Sequence, residues 1–194
     1  MTGSHGMFAT DPPGSTEALS RGLAKLHQEI VAALAELSTE EFHAPQGGHW
    51  SPADHIRHLV TANSALAQGM SAPKLLLALR FGISRRGSRS FAEICRLYQA
   101  ALEAGGRASG RYDPSRRAID MEPEQLRSLI MERWSTAGRE LERRLASWSE
   151  RALDRHQAKH PLLGVMTVRE LLYFTLYHNA HHARRIVERR AIRS

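Results

Sequence analysis

Three histidines give this sequence its chemistry: His178 and His182 stand four residues apart, and His58 lies far upstream behind its own helix-start signal. Residues four apart on a helix share one face about a turn apart, so two imidazoles from one helix can reach a single ion. A third from a partner helix can close on it. Three neutral imidazoles leave at least one coordination position open, which is the pattern of a catalytic rather than a closed structural site. A divalent ion held that way lowers the pKa of bound water toward about 7, or takes a thiol as thiolate, and so permits hydrolysis or thiol transfer. Zinc or nickel is the expected ion, although imidazole alone does not select among zinc, nickel, copper and iron.

The elements that must position these rings are legible in their flanks. The pair follows Thr167 and Glu170, the Ser/Thr-x-x-Glu spacing of a capping box, which predicts a helix start there. Core-facing positions then recur at Val168, Leu171, Thr175, His178, His182 and Ile186 in three-four alternation, so both histidines point inward. Upstream, Ser51 reads as N-cap, Pro52 as the first helical residue and Asp54 as the third-position acid of the helix that carries His58. Ala62 and Ala65 share the His58 stripe, and their small side chains leave room for an ion or a ligand beside the ring. Asp54 caps this helix and is also a candidate acceptor for a histidine N–H, a contact that would fix tautomer and orientation. His181 points about 100° away from His182, toward the rim. His55, one turn before His58, is a minor candidate for an extra ligand. Tyr173, Tyr177 and Arg185 read as packing or capping residues.

Together the blocks resemble the DinB-like superfamily of metal-dependent bacterial proteins, which includes YfiT-type hydrolases, mycothiol-dependent maleylpyruvate isomerases and bacillithiol transferases. The residues that carry the resemblance are Trp50, Ser51, Asp54, His58 and Leu59 at the second long helix, His178, His181 and His182 in the last, and the stretch His160-Pro161-Leu162-Leu163-Gly164 between them. Helix order matches over residues 15–192, and residue-level likeness is confined to these blocks. Two departures stand out: the acid is more usually Glu and is Asp54 here, and a Gln common after the histidine pair is replaced by Arg184 and Arg185. The resemblance implies a three-histidine metal site and thiol transfer, in which a low-molecular-weight thiol at the ion attacks an electrophilic substrate. It also makes a homodimer plausible, although the sequence shows no unsatisfied apolar stripe that demands one.

The fold expected is all-α, a four-helix bundle with a long crossover between its second and third helices. The first helix starts near Ser15 and carries a seam of Leu19, Leu23, Leu26, Ile30, Leu34 and Leu37. After the Gly47-Gly48 loop comes the His58 helix, to about Met70. The crossover to roughly Glu122 holds two short helical candidates, residues 73–81 and 91–104, split by a glycine- and serine-punctuated stretch. The third long helix follows Pro123 with Leu126, Ile130, Trp134, Ala137, Leu141, Leu145 and Trp148, and the histidine-pair helix is the fourth. No strand-like alternation competes. A chain of 194 residues with 42% hydrophobic content fits one domain, here residues 15–194 behind a flexible segment 1–14.

Composition narrows the function classes. Apolar runs such as residues 75–79 are far shorter than the roughly 20 residues that span a bilayer, so no membrane partner is expected. The start of the chain lacks a basic region followed by an apolar core, and a cytoplasmic location is expected. Cys95 is the single cysteine; it cannot form an internal disulfide, and its place between Ile94 and Leu97 favours packing over catalysis. Lys and Arg total 27 against 20 acids, and residues 80–117 hold nine arginines against Glu93, Glu103 and Asp113. The tail adds Arg184, Arg185, Arg189, Arg190 and Arg193 against Glu188. Such charge could neutralise nucleic-acid phosphates or draw in an anionic thiol or substrate. Lysines are few, aromatics do not interleave with the arginines, and no helix-turn-helix or zinc-finger spacing is visible, so nucleic-acid binding ranks low. The alternative to a metal-dependent enzyme acting on a small molecule is a metal-free helical ligand-binding or stress-response protein whose histidines line a pocket.

Overall fold

The computed structural model describes residues 8, 10, 12–45, 49–116 and 119–191. The Gly47-Gly48 loop, Arg117, Arg193 and most of the first eleven residues lie outside that set. Four long helices make the bundle: α1 (Thr16–Ala35), α3 (Pro52–Ser71), α6 (Pro123–Ala146) and α8 (Val168–Ala191), with a short α2 (Thr39–His43) between the first two. α1 packs on α6 and α8, and α3 packs on the same two, so α1 and α3 occupy opposite corners.

Each start is chemically specified. Ser15 accepts from the Ala18 amide at α1, and a reciprocal capping box joins Ser51 and Asp54 at α3. At α8 the Thr167 hydroxyl accepts from the Glu170 amide while the Glu170 carboxylate accepts from the Thr167 amide, at 3.1 and 3.0 Å. The seams are buried as the alternation predicts: Leu19, Leu23, Leu26, Ile30 and Leu34 from α1, and Ile130, Trp134, Ala137, Leu141 and Leu145 from α6. The side chain of Trp134 is among the largest fully buried ones.

The crossover carries α4 (Lys74–Phe81) and α5 (Phe91–Glu103), followed by two 3-10 turns at Gly110–Tyr112 and Pro114–Arg116. α5 packs along α8, and the turns pack on α3. α4 leaves Leu75, Leu76 and Leu79 exposed. The short apolar run of residues 75–79 thus presents three leucines to solvent.

Between α6 and α8 the chain forms α7 (Glu150–Arg155) and a hairpin of β1 (Gln157–His160) and β2 (Gly164–Thr167), paired antiparallel from Gln157 opposite Thr167 to His160 opposite Gly164. The expectation of no strands fails here. Four-residue strands are too short for period-two alternation to register, and Gly164 turns the chain with φ +75°. Before α1, Phe8 is buried and its carbonyl accepts from Arg184, while the Tyr173 hydroxyl donates to the Pro13 carbonyl.

A bridge of charge locks the crossover to α8. Glu170 is wholly buried and accepts from the Arg89 amide, Nε and Nη2 at 2.7–2.9 Å and from Arg86 at 3.2 Å. Its sequence neighbour Arg169 pairs with Glu150 and Asp154 of α7. Burial alone would raise the Glu170 carboxyl, but the Arg89 hydrogen bonds outweigh it and hold the group below the usual carboxylate range.

Candidate metal centre

Three Nε2 atoms converge where α3 meets α8. His58 Nε2 lies 3.0 Å from His178 Nε2, and His182 Nε2 lies 3.1 Å from the same atom. All three residues are buried, and one ligand atom from each lies within 4.8 Å of the others.

The tautomers follow from the outer contacts. His58 Nδ1 is 2.7 Å from the Tyr112 carbonyl oxygen, which can only accept, so Nδ1 carries the proton and Nε2 turns a lone pair inward. His182 Nδ1 is 2.7 Å from His55 Nδ1. Burial pushes the pKa of His58 down, partly offset by the Tyr112 carbonyl and the Asp113 charge. Burial, reinforced by the neighbouring histidines, pushes His178 and His182 well below the ordinary value. The cluster is therefore neutral at pH 7.

This arrangement fits a divalent ion. A proton on His178 Nε2 can satisfy one inward lone pair at a time, whereas a cation satisfies all three. Zn–N bonds of about 2.0–2.1 Å put tetrahedral ligand nitrogens about 3.3–3.4 Å apart, close to the two separations of 3.0 and 3.1 Å from His178 Nε2, with all three atoms within 4.8 Å of one another. The donor set is all imidazole, which suits borderline metals such as zinc, nickel, copper and iron.

Rings and carbonyls brace the three imidazoles. Trp50 lies nearly parallel to His182 at 6.0 Å between centroids and tilted against His58 at 5.1 Å. Phe174 stacks under His178 at 4.8 Å, and His160 in turn packs on Phe174 at 4.3 Å. Burial lowers His160 to about 4; its Nδ1 accepts from the Leu162 and Leu163 amides and so shapes the hairpin turn. His181 sits half-buried beside the cluster, accepts from Arg185 Nε at 3.0 Å, and is lowered to about 4 by burial and then by the two arginines that follow it.

Asp54 is placed differently from one of its expected roles. Its carboxylate accepts from Ser51 and pairs with Arg57 at 3.2 Å, and the acceptor on His58 is the Tyr112 carbonyl. Aspartate at the third helical position is occupied by the cap, and its short side chain stays there. No sequence signal could have named Tyr112, because the contact uses a backbone atom from a loop distant in the chain. His55 touches His182 through Nδ1 and flanks the cluster. Cys95 is half-buried, and burial raises its thiol to about 11.

The cluster opens into a cavity of about 880 Å³ whose walls include Ala62 and Ala65, as the small-residue stripe predicted, along with Met70, Leu77, Phe81 and Phe174. A concave, largely apolar space with convergent polar groups at one point is the usual form of a small-molecule site.

Residues 23–186 match the DinB superfamily. Among solved structures, the fold is similar to TT2238, a four-helix bundle protein, with TM-score 0.52 and 16% identity, covering 90% of this chain and 99% of that one. It is likewise similar to YfiT from Bacillus subtilis, described as a probable metal-dependent hydrolase with an unusual four-helix bundle topology, with TM-score 0.52 and 13% identity, covering 97% and 96%. At those identities the likeness is one of fold. No curated protein matches the chain. With the family match running from the first helix to the histidine-pair helix, the protein belongs to the DinB superfamily.

Proposed function

We propose that this protein is a metal-dependent enzyme of the thiol-transferase or hydrolase type, with His58, His178 and His182 holding one zinc or nickel ion. The observation that carries the reading is the convergence of three buried, neutral imidazoles at an open cavity. An ion bound there supplies Lewis acidity and favours the anionic form of water or of a thiol. The chain's own residues do the rest. The Tyr112 carbonyl fixes the His58 tautomer, Phe174 and Trp50 hold the ring planes of His178 and His182, and the apolar walls exclude bulk water from the reacting face. Thiol transfer is preferred over hydrolysis on the family resemblance, with a low-molecular-weight thiol as co-substrate. His181 and Arg185 lie at the cavity but are paired with each other, and neither is assigned a proton-transfer role.

The test is an activity panel on the metal-loaded protein: cysteine-family thiols with 1-chloro-2,4-dinitrobenzene, and p-nitrophenyl esters without thiol. The expected result is metal-dependent thioether formation or ester cleavage that His178→Ala abolishes. Turnover in neither assay by protein of verified metal content, or turnover unchanged in His178→Ala, would contradict the reading.

A further inference from the structure

The cavity has a charge asymmetry that the metal cluster does not use. Its interior is lined by apolar side chains from α3, α4, α5 and α8, among them Leu66, Met70, Leu77 and Leu171. Its exposed lining residues, which mark where it meets solvent, include Arg107, Arg111, Lys159 and Arg185. Asp113 is the acid of the lining among the described residues. These cations come from the loop after α5, from β1 and from α8, so the fold gathers them from distant positions.

Their hydrogen bonds leave the charge uncompensated. Arg111 donates to the Tyr112 hydroxyl at 3.0 Å and lies over the Tyr112 ring, and Arg185 donates to His181. Both partners are neutral. Ion pairs elsewhere, such as Arg169 with Asp154, show how this chain neutralises an arginine it uses for structure. At the mouth it does not. Clefts lined by one sign of charge over low-dielectric walls concentrate ligands of the opposite sign.

We infer that the cavity takes a small organic anion with an apolar body, its charged group held by the Arg107, Arg111, Lys159 and Arg185 mouth and its apolar part lying against α3 and α4. The inference names the substrate class of the proposed enzyme and rests on that reading for its catalytic meaning, but ligand binding itself does not require the metal. Arg111 precedes Tyr112, whose carbonyl holds His58, so the turn that orients a metal-site ring also presents a cation to the ligand.

Two dyes of nearly the same body separate charge from shape: 1-anilinonaphthalene-8-sulfonate carries the anion, and N-phenyl-1-naphthylamine lacks it. Fluorescence titration of the full chain, with and without bound zinc, should show the sulfonate dye binding about tenfold more tightly than the neutral one. Arg107→Gln with Arg111→Gln should remove that advantage and leave the neutral dye unchanged. Ala65→Trp, which fills the interior, should weaken both. Equal binding of the two dyes, an unchanged sulfonate titration in the double variant, or no binding of either dye would overturn the inference. Metal content is read on the same samples. Discriminating dye binding by protein that takes up no metal sinks the enzyme reading alone, and indiscriminate binding by metal-loaded protein sinks this one alone.

Discussion

His58 Nδ1 donates to the Tyr112 carbonyl across 2.7 Å, tying a ring on α3 to a turn 54 positions away in the crossover. The turn depends on Gly110, whose φ of +59° lies in the left-handed region. A Cβ at Gly110 meets nothing within 4 Å, so Gly110→Ala tests backbone conformation without a clash. Left-handed geometry costs a non-glycine residue roughly 1–2 kcal/mol. Loss of such an orienting contact typically weakens metal affinity about 10–100-fold. Gly110→Ala should therefore weaken zinc binding, measured by competition with a chromophoric chelator, while the melting temperature falls only modestly. Unchanged affinity would detach the Tyr112 contact from the site.

Glu170 should contribute to the acid stability of the fold, together with Glu150, whose carboxyl is lowered to about 2 chiefly by the Thr16 amide. The folded-state pKa of Glu170 is depressed, as is that of Asp154, where burial is outweighed by the Arg169 and Ser88 hydrogen bonds. A depressed carboxylate contributes stability that is present above the unfolded value of about 4.3 for Glu and is lost as pH falls through the lower folded value. Urea melts at pH 7, 5 and 3 should show a steep loss only below about 4.3. Glu170→Gln should destabilise by about 1–3 kcal/mol at pH 7, because Arg89 loses its charged partner but stays partly hydrated, and should flatten the acid limb. A variant with wild-type acid dependence would contradict the assignment.

Cys95 should be a slow thiol. Burial raises it to about 11, so little thiolate exists at pH 8. Reaction with Ellman's reagent should be far slower than that of free cysteine at that pH and should accelerate on denaturation. Cys95→Ser should retain any thiol-transfer activity, since the attacking sulfur is supplied by the co-substrate. Loss of activity with an intact fold would place the chain's own thiol in the chemistry.

At Gly138, α6 leaves no room for a side chain against His27 of α1. A Cβ there would stand 2.7 Å from His27 Nδ1, and His27 stacks on Trp134 at 4.9 Å between ring centroids. Gly138→Ala must push the imidazole off the indole, and overpacking of this kind costs about 1–3 kcal/mol. Thermal unfolding should show that loss, with metal content unaffected, because none of His27, Trp134 and Gly138 lines the cavity of the histidine cluster. A neutral or stabilising substitution would mean that His27 yields freely.

The long helices and the histidine convergence were legible because their signals are local. Ser51 with Asp54, and Thr167 with Glu170, announce helix starts through side chain–backbone bonds spanning three residues, and the α8 stripe through His178 and His182 survives unchanged in burial. What could not be read depends on contacts distant in sequence. The Tyr112 carbonyl has no side-chain signature, and the second use of Glu170 as the partner of Arg89 is invisible in a capping box. The hairpin of residues 157–167 is held by pairing and by its packing on α4 and α8 rather than by any strand-like pattern of its own. The cationic mouth was visible only as an arginine excess, because proximity of residue 107 to residues 159 and 185 is a property of the fold.

The central claim is that His58, His178 and His182 hold one ion together. Elemental mass spectrometry of the purified chain, set against His58→Ala, His178→Ala, His182→Ala and the neighbouring His181→Ala, tests it most directly. The account predicts close to one zinc or nickel per chain, lost in each of the first three variants and kept in His181→Ala. No bound metal after reconstitution with several divalent ions, or metal retained when any of the three is removed, would contradict it.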